Sequence, residues 1–264
     1  AALAAAGGVA YVPGAENMPK GAPRLFGYDH SHYTVRCRMA LGLKKMPYRM
    51  IWMAEDDEET PMELVGKKIS PIIQFPGEKA FAESGDIIAR VEGTEAYGPP
   101  VLKPKTDRPD VDAWVKTLSK PMRNLGRPRY IRSGALAEFR SRSARDRFVV
   151  THPMPFPETG ETLSKADWAA LPKEKRDGVY EHYWLDSEAQ LVELNRALKA
   201  MPADLIASDG AVSAHGLSWD DILFFSRLRG MTLIKGVETP PALAAYLARM
   251  SELTDIPLLT QMAM

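Results

Sequence analysis

One thiol, Cys37, is all this 264-residue chain contains, so it can form no intramolecular disulfide and no Cys-rich metal site. Histidine is scarce as well. Of His30, His32, His152, His182 and His215 only the first two are closely spaced, and a pair two residues apart is far more often incidental than a ligand pair. No metal is expected. An excess of one charge is also missing: 34 basic and 34 acidic residues cancel, which removes the whole-molecule signature of a nucleic-acid or membrane-surface binder. No apolar run approaches the roughly 18 residues of a membrane span, so a soluble protein without a transmembrane segment is expected.

What is present is ordinary globular material. Apolar residues make up 45% and charged residues 26%, enough to bury a large core in one or two domains. Residues 24–93 read as one α/β unit. Strands are expected at 24–27, 48–52, 72–75 and 80–82, and helices at 33–43, 60–64 and 84–91, with Pro76-Gly-Glu-Lys79 as the turn of a hairpin. Four prolines (99, 100, 104 and 109) mark 94–110 as a linker. From 111 to 264 only helical patterns recur, at 111–119, 135–149, 187–200, 219–234 and 241–252. The fold class is therefore α/β followed by all-α. Ser218-Trp-Asp-Asp221 reads as a capping box between Leu217 and Ile222, a folding signal to which no chemistry is assigned.

The most informative segment is Leu25-Phe-Gly-Tyr-Asp-His-Ser-His-Tyr-Thr34. A short apolar strand enters an amphipathic helix through Ser31-His32-Tyr33-Thr34, the place where thioredoxin-like proteins carry Cys-X-X-Cys chemistry. Together with Val65-Gly-Lys-Lys-Ile-Ser-Pro71, Glu83-Ser-Gly-Asp86, Leu217-Ser-Trp-Asp-Asp221, Leu228-Arg-Gly-Met231 and Leu258-Leu-Thr-Gln-Met262 it resembles the glutaredoxin 2 family. The likeness is continuous over about 25–91 and from 217 to the end. It implies a thioredoxin-like N-terminal domain, a glutathione-transferase-like helical C-terminal domain, and glutathione as ligand. The family pattern has cysteines where this chain has Ser31 and Thr34.

That departure bears on activity. Ser31 supplies no thiolate, and Cys37, nearly two helical turns away among Met39, Ala40 and Leu41, reads as a buried core thiol. Dithiol glutaredoxin chemistry is not expected. A transferase needs less, because the nucleophile belongs to glutathione. A hydroxyl at a helix N-terminus lowers that thiol's pKa by hydrogen bonding and through the helix dipole. The resemblance implies Ser31 in this catalytic role, with His32 and Tyr33 beside the sulfur. It also implies Ser70 and cis-Pro71 pairing with the cysteinyl backbone, and Glu83 and Ser84 holding the γ-glutamyl group. Purely structural roles for Pro71 and Ser84, and simple decay of a lost cysteine at Ser31, remain as alternatives.

A second function class competes: a non-catalytic subunit that keeps the fold inside a larger assembly, organellar and photosynthetic in kind. Three segments carry it. Residues 1–23 form an N-terminal extension whose Ala/Gly start reads as the remnant of a removed targeting segment, or equally as a mere sequence boundary. Residues 151–177, with His152-Pro-Met-Pro-Phe-Pro157 and the charge run 173–177, look like an insertion relative to the family. Residues 116–147 hold ten Lys/Arg against Glu138 and Asp146, a surplus of eight, which reads either as a solvated face or as a surface for an acidic protein partner. A plastid location follows if a targeting peptide was removed, and a cytoplasmic one otherwise. The remaining partners expected are glutathione and a small electrophile.

Overall fold

A computed structural model describes residues 21–264 of the protein. Residues 1–20, most of the expected N-terminal extension, lie outside the described residues. The α/β unit follows the sequence pattern within a residue or two: β1 (Arg24–Gly27), α1 (His32–Leu43), β2 (Arg49–Trp52), α2 (Glu59–Val65), β3 (Ile72–Gln74), β4 (Phe81–Ala82) and α3 (Ser84–Glu92). The sheet order is β2-β1-β3-β4. β1 runs parallel to β2 and antiparallel to β3, and β4 returns antiparallel to β3 through the Pro76–Lys79 hairpin. Leu25, Ile73, Met39 and Leu41 are buried completely between this sheet and α1.

The linker is not slack. Lys103 exchanges two backbone hydrogen bonds with Leu217 and Trp219, at 2.9 and 3.0 Å. Thr106 donates its N–H and hydroxyl to Asp220, at 2.9 and 2.8 Å. The strap is thereby fastened to the start of a helix more than a hundred residues later. The capping box there is formed, with Asp221 accepting from the Ser218 N–H at 2.9 Å.

The helical domain comprises α4 (Pro109–Ser133), α5 (Arg142–Thr151), α6 (Lys165–Ala170), α7 (Lys173–Leu185), α8 (Ser187–Lys199), α9 (Trp219–Leu228) and α10 (Pro241–Thr254). Besides α5, which begins at Arg142 and not at 135, after a 3-10 turn at Ala137–Phe139, two elements correct the sequence expectation. α4 runs 25 residues instead of stopping at 119, straight through Pro121 and Pro128. Each proline forfeits one helical hydrogen bond, yet both rings are buried, and packing against α7 and α8 holds the helix together. The charge run 173–177 is the first turn of α7, whose Arg176, Val179, Tyr180 and Tyr183 repeat at helical spacing and face inward.

Residues 151–177 are accordingly no free excursion. Met154 and Trp168 are fully buried in a second core with Phe139, Phe148 and Tyr180. The Trp168 indole N–H donates to Val149 O at 2.7 Å. The surplus charge of 116–147 is likewise dispersed. Arg127 and Arg129 turn inward to the carbonyls of Pro153 and Met264, whereas Arg132 and Arg147 pair with Glu181 and Glu58.

The two domains meet on buried charge. Arg38 of α1 and Arg229, just after α9, both grip Asp29: Arg38 Nη1 at 2.8 Å, Arg229 Nη1 at 3.1 Å. Arg229 also donates to the Asp29 carbonyl at 2.9 Å and to Pro257 O at 2.8 Å. Burial alone would raise the Asp29 carboxyl, but the Arg229 and Arg38 guanidinium groups overcome it and hold the carboxyl below the usual range. Asp29→Ala leaves two buried guanidinium groups unpaired and should cost about 3–5 kcal/mol of unfolding free energy. An unchanged denaturation midpoint would refute this. Because the folded pKa is depressed, this contribution is present above the unfolded value of about 4 and is lost as pH falls through the folded value.

Candidate functional site

Strand register gathers the expected site residues at one edge of the sheet. β1 points its C-terminal end there and delivers Tyr28 to Ser31. Ile72 begins β3 opposite Phe26, so Ser70 and Pro71 precede it at the same edge. Ala82 ends β4 opposite Ile72, so Glu83 and Ser84 emerge there too. The Ser70–Pro71 bond is cis, as expected from the sequence.

Side chains tie these three segments together. Thr34 is fully buried. Its Oγ1 accepts from the Tyr28 N–H at 3.3 Å and lies 3.4 Å from Ser70 Oγ. The approach is close enough that a Cβ on Gly27 would stand 2.5 Å from Thr34 Oγ1, which is why glycine ends β1. Cys37 Sγ donates to Ser84 O at 3.9 Å, joining α1 to α3. Burial raises the Cys37 thiol far above its ordinary value, so the lone cysteine packs in the core as a protonated thiol, as its neighbours suggest.

Ser31 is the N-cap residue of α1, with extended backbone (φ −75°, ψ 116°) and a hydroxyl that caps nothing. That hydroxyl and the first N–H groups of a 12-residue helix are therefore free to meet a developing negative charge. Glu83 holds φ at +78°, a region L-residues rarely adopt. Its exposed carboxylate stands 3.2 Å from Lys67 Nζ, and Ser84 opens α3 behind it. Pro71 is buried and Tyr33 is 47% exposed.

The two histidines beside Ser31 have different roles. His30 turns away from it. Its backbone N–H and ring Nδ1 both reach Glu138 Oε1 at 2.8 Å, within an aromatic setting of Tyr130, Phe139 and Phe148. Glu138 is fully buried and its other oxygen has no partner among the described residues, as is true of Glu55 Oε2 nearby. His32 packs against Tyr33 with ring centroids 4.0 Å apart and the ring planes tilted by 37°. Burial, then Arg36 and Arg227, pull its pKa down to about 4, so it is neutral at physiological pH and a weak base.

Sequence reasoning missed Arg38, Glu138, Arg229 and Lys67. The motifs quoted for the resemblance contained Asp29, His30, Lys67 and Arg229, but nothing in them signals partners up to 200 positions away. A cavity of about 330 Å³ lies elsewhere, between α4, α5 and α7, lined only by residues from Pro128 onward. Among the described residues no group of three or more His, Cys, Asp or Glu is placed to hold a metal, and no helix is long and apolar enough to cross a membrane.

Comparison with known proteins places this geometry. The sequence model described as glutathione S-transferase, N-terminal domain, matches residues 25–100, and that described as glutaredoxin 2, C terminal domain, matches 152–263. Glutaredoxin 2 of Escherichia coli strain K12 is 31% identical over 240 residues, covering 91% of this chain and 99% of the relative. The chain belongs to the glutaredoxin 2 family. Glutaredoxin 2 from Salmonella typhimurium, solved in complex with glutathione, superposes with a TM-score of 0.76 at 28% identity, covering 92% of this chain and all of that one. A beta-etherase from Sphingobium sp. strain SYK-6 shares the fold, with a TM-score of 0.52 at 16% identity, 91% of this chain and 98% of that one. The thioredoxin-like domain with a helical transferase-like domain, expected from the sequence, is the fold of the family. The glutaredoxin 2 domain match begins at His152 and so spans the segment to 177.

Two outcomes test this description. The Cys37 thiol should resist iodoacetamide in the native protein and react only on unfolding, as mass spectrometry would show. The His32 ring should titrate near pH 4 by NMR, well below the ordinary 6.5. Since its folded pKa is depressed, its contribution to stability is full above about 6.5 and declines as pH falls toward 4.

Proposed function

We propose that this glutaredoxin 2 family member binds glutathione and acts on it as a transferase does, with Ser31 activating the glutathione thiol, and that it is not a dithiol glutaredoxin. The observation that carries the reading is an uncommitted Ser31 hydroxyl at the N-terminus of α1, where the resemblance puts the family's nucleophilic cysteine. Thr34 stands at the second cysteine position, buried and bonded. The glutathione held by the Salmonella relative supports the choice of ligand.

In this reading the Ser70–Pro71 backbone pairs with the cysteinyl part. Glu83 takes the γ-glutamyl amine, and Ser84 with the α3 N-terminus takes its carboxylate. His32 and Tyr33 border the sulfur. The thiol proton leaves to solvent, because His32 is too weak a base to hold it. The thiolate sulfur then forms a bond to an electrophilic carbon, whose leaving group departs with the electron pair of the broken bond. Ser31 O–H and the helix dipole stabilise the thiolate.

Calorimetry with glutathione, followed by turnover of 1-chloro-2,4-dinitrobenzene, tests the reading. Glu83→Ala should cost roughly 1.5–3 kcal/mol of glutathione affinity, the worth of a charge-assisted hydrogen bond. Ser31→Ala should lower kcat about 10²-fold, the order for deleting one donor to developing negative charge. Reduction of a glutathione mixed disulfide should be absent. Failure of the wild type to bind glutathione at millimolar concentration would overturn the pocket and leave the non-catalytic subunit in its place.

A further inference from the structure

Positions 32 and 36 lie one helical turn apart on α1, and 34 lies on the opposite side. The face that carries Thr34 is turned to Ser70 and the glutathione-holding loop of the proposed site. The face that carries His32 and Arg36 is turned to α9 of the helical domain, where Arg36 Nε donates to Ser226 Oγ at 3.4 Å. Arg227 follows Ser226 immediately and is exposed. The Arg36 guanidinium also lies 4.8 Å from the centre of the exposed Tyr33 ring.

This corner is cationic without compensation. Burial, and then the charge of Arg227, depress Arg36. Among the described residues neither Arg36 nor Arg227 makes an ion pair, although most surface arginines of the helical domain have found one or a carbonyl. Two mutually repelling cations beside a neutral imidazole, with the exposed Tyr33 ring against both Arg36 and His32, present donors and no acceptor charge. A bound anion would relieve that repulsion.

We infer that His32, Tyr33, Arg36 and Arg227 form the acceptor half of the site, selective for a small electrophile that carries a carboxylate. The inference rests on the glutathione reading above and names its second substrate. The carboxylate sits on the α9 side, against Arg36 and Arg227. The electrophilic carbon then faces Ser31 and the sulfur, and Tyr33 offers its ring to the acceptor's body.

Paired conjugates test it without requiring turnover. Free glutathione, S-benzylglutathione and S-(4-carboxybenzyl)glutathione are titrated by calorimetry into wild type, Arg36→Gln and Arg227→Gln. Wild type should bind the carboxybenzyl conjugate about tenfold or more tightly than the benzyl conjugate, as expected for a charge-assisted contact. That preference should shrink as salt rises. Each substitution should reduce it several-fold while leaving the affinity for free glutathione within twofold. Equal binding of the two conjugates by a wild type that binds glutathione overturns the inference alone. Weakened binding of free glutathione in the variants overturns it differently, by assigning the arginines to glutathione's own carboxylates. Absence of all glutathione binding overturns both readings together, and that first arm identifies it.

Discussion

Asp29 clamped between Arg38 and Arg229 is the contact on which the arrangement of the two domains depends. Three charges out of water are a poor source of stability taken alone, since desolvation consumes most of their attraction. Their value here is positional. Asp29 belongs to the turn after β1, Arg38 to the middle of α1, and Arg229 to the segment just after α9 of the helical domain. One carboxylate thus fixes the start of α1 from both sides. His30 adds a second lock by reaching Glu138 of the helical domain through main chain and ring alike. Ser31 follows directly, so the residue proposed to meet the sulfur is placed by two interdomain anchors immediately before it.

The same local packing separates the roles of two hydroxyls that look equivalent in the sequence. Ser31 is half-buried and its hydroxyl caps nothing, whereas Thr34 is buried under Gly27 and engaged with Tyr28 and Ser70. One has the freedom that a reacting group requires. The other has become part of the mortar between β1, α1 and the loop before β3. Nearby, Glu138 and Glu55 each keep a buried oxygen without a partner among the described residues, so the domain boundary there is polar without being fully satisfied. Burial raises the Glu55 carboxyl accordingly.

Legibility from sequence followed the physics of each element. The strands and helices of the first domain were readable because short apolar runs stand between clear turn signals such as Pro76-Gly-Glu-Lys79. The residues of the candidate site were readable through motifs at strand ends, where short local patterns suffice. α4 was not, because Pro121 and Pro128 obey a local rule that burial against α7 and α8 overrides. α7 was hidden by its opening charge run, although Val179, Tyr180 and Tyr183 carried the helical period. Least legible were pairings such as Asp29 with Arg229 or Arg36 with Ser226, which join positions about two hundred residues apart and leave no local trace.

The β3–β4 hairpin has a consequence for how such a protein can vary. Its turn, Pro76 to Lys79, lies at the opposite edge of the sheet from Ser70, Pro71, Glu83 and Ser84. Residues gained or lost in that turn lengthen or shorten a solvent-exposed loop and leave the strand ends where they are. A single residue gained inside β3 or β4 would shift the pairing of Ile72 with Phe26 and Ala82, turning every following side chain to the other face. A change of length is thus absorbed in the turn and resisted within the paired strands.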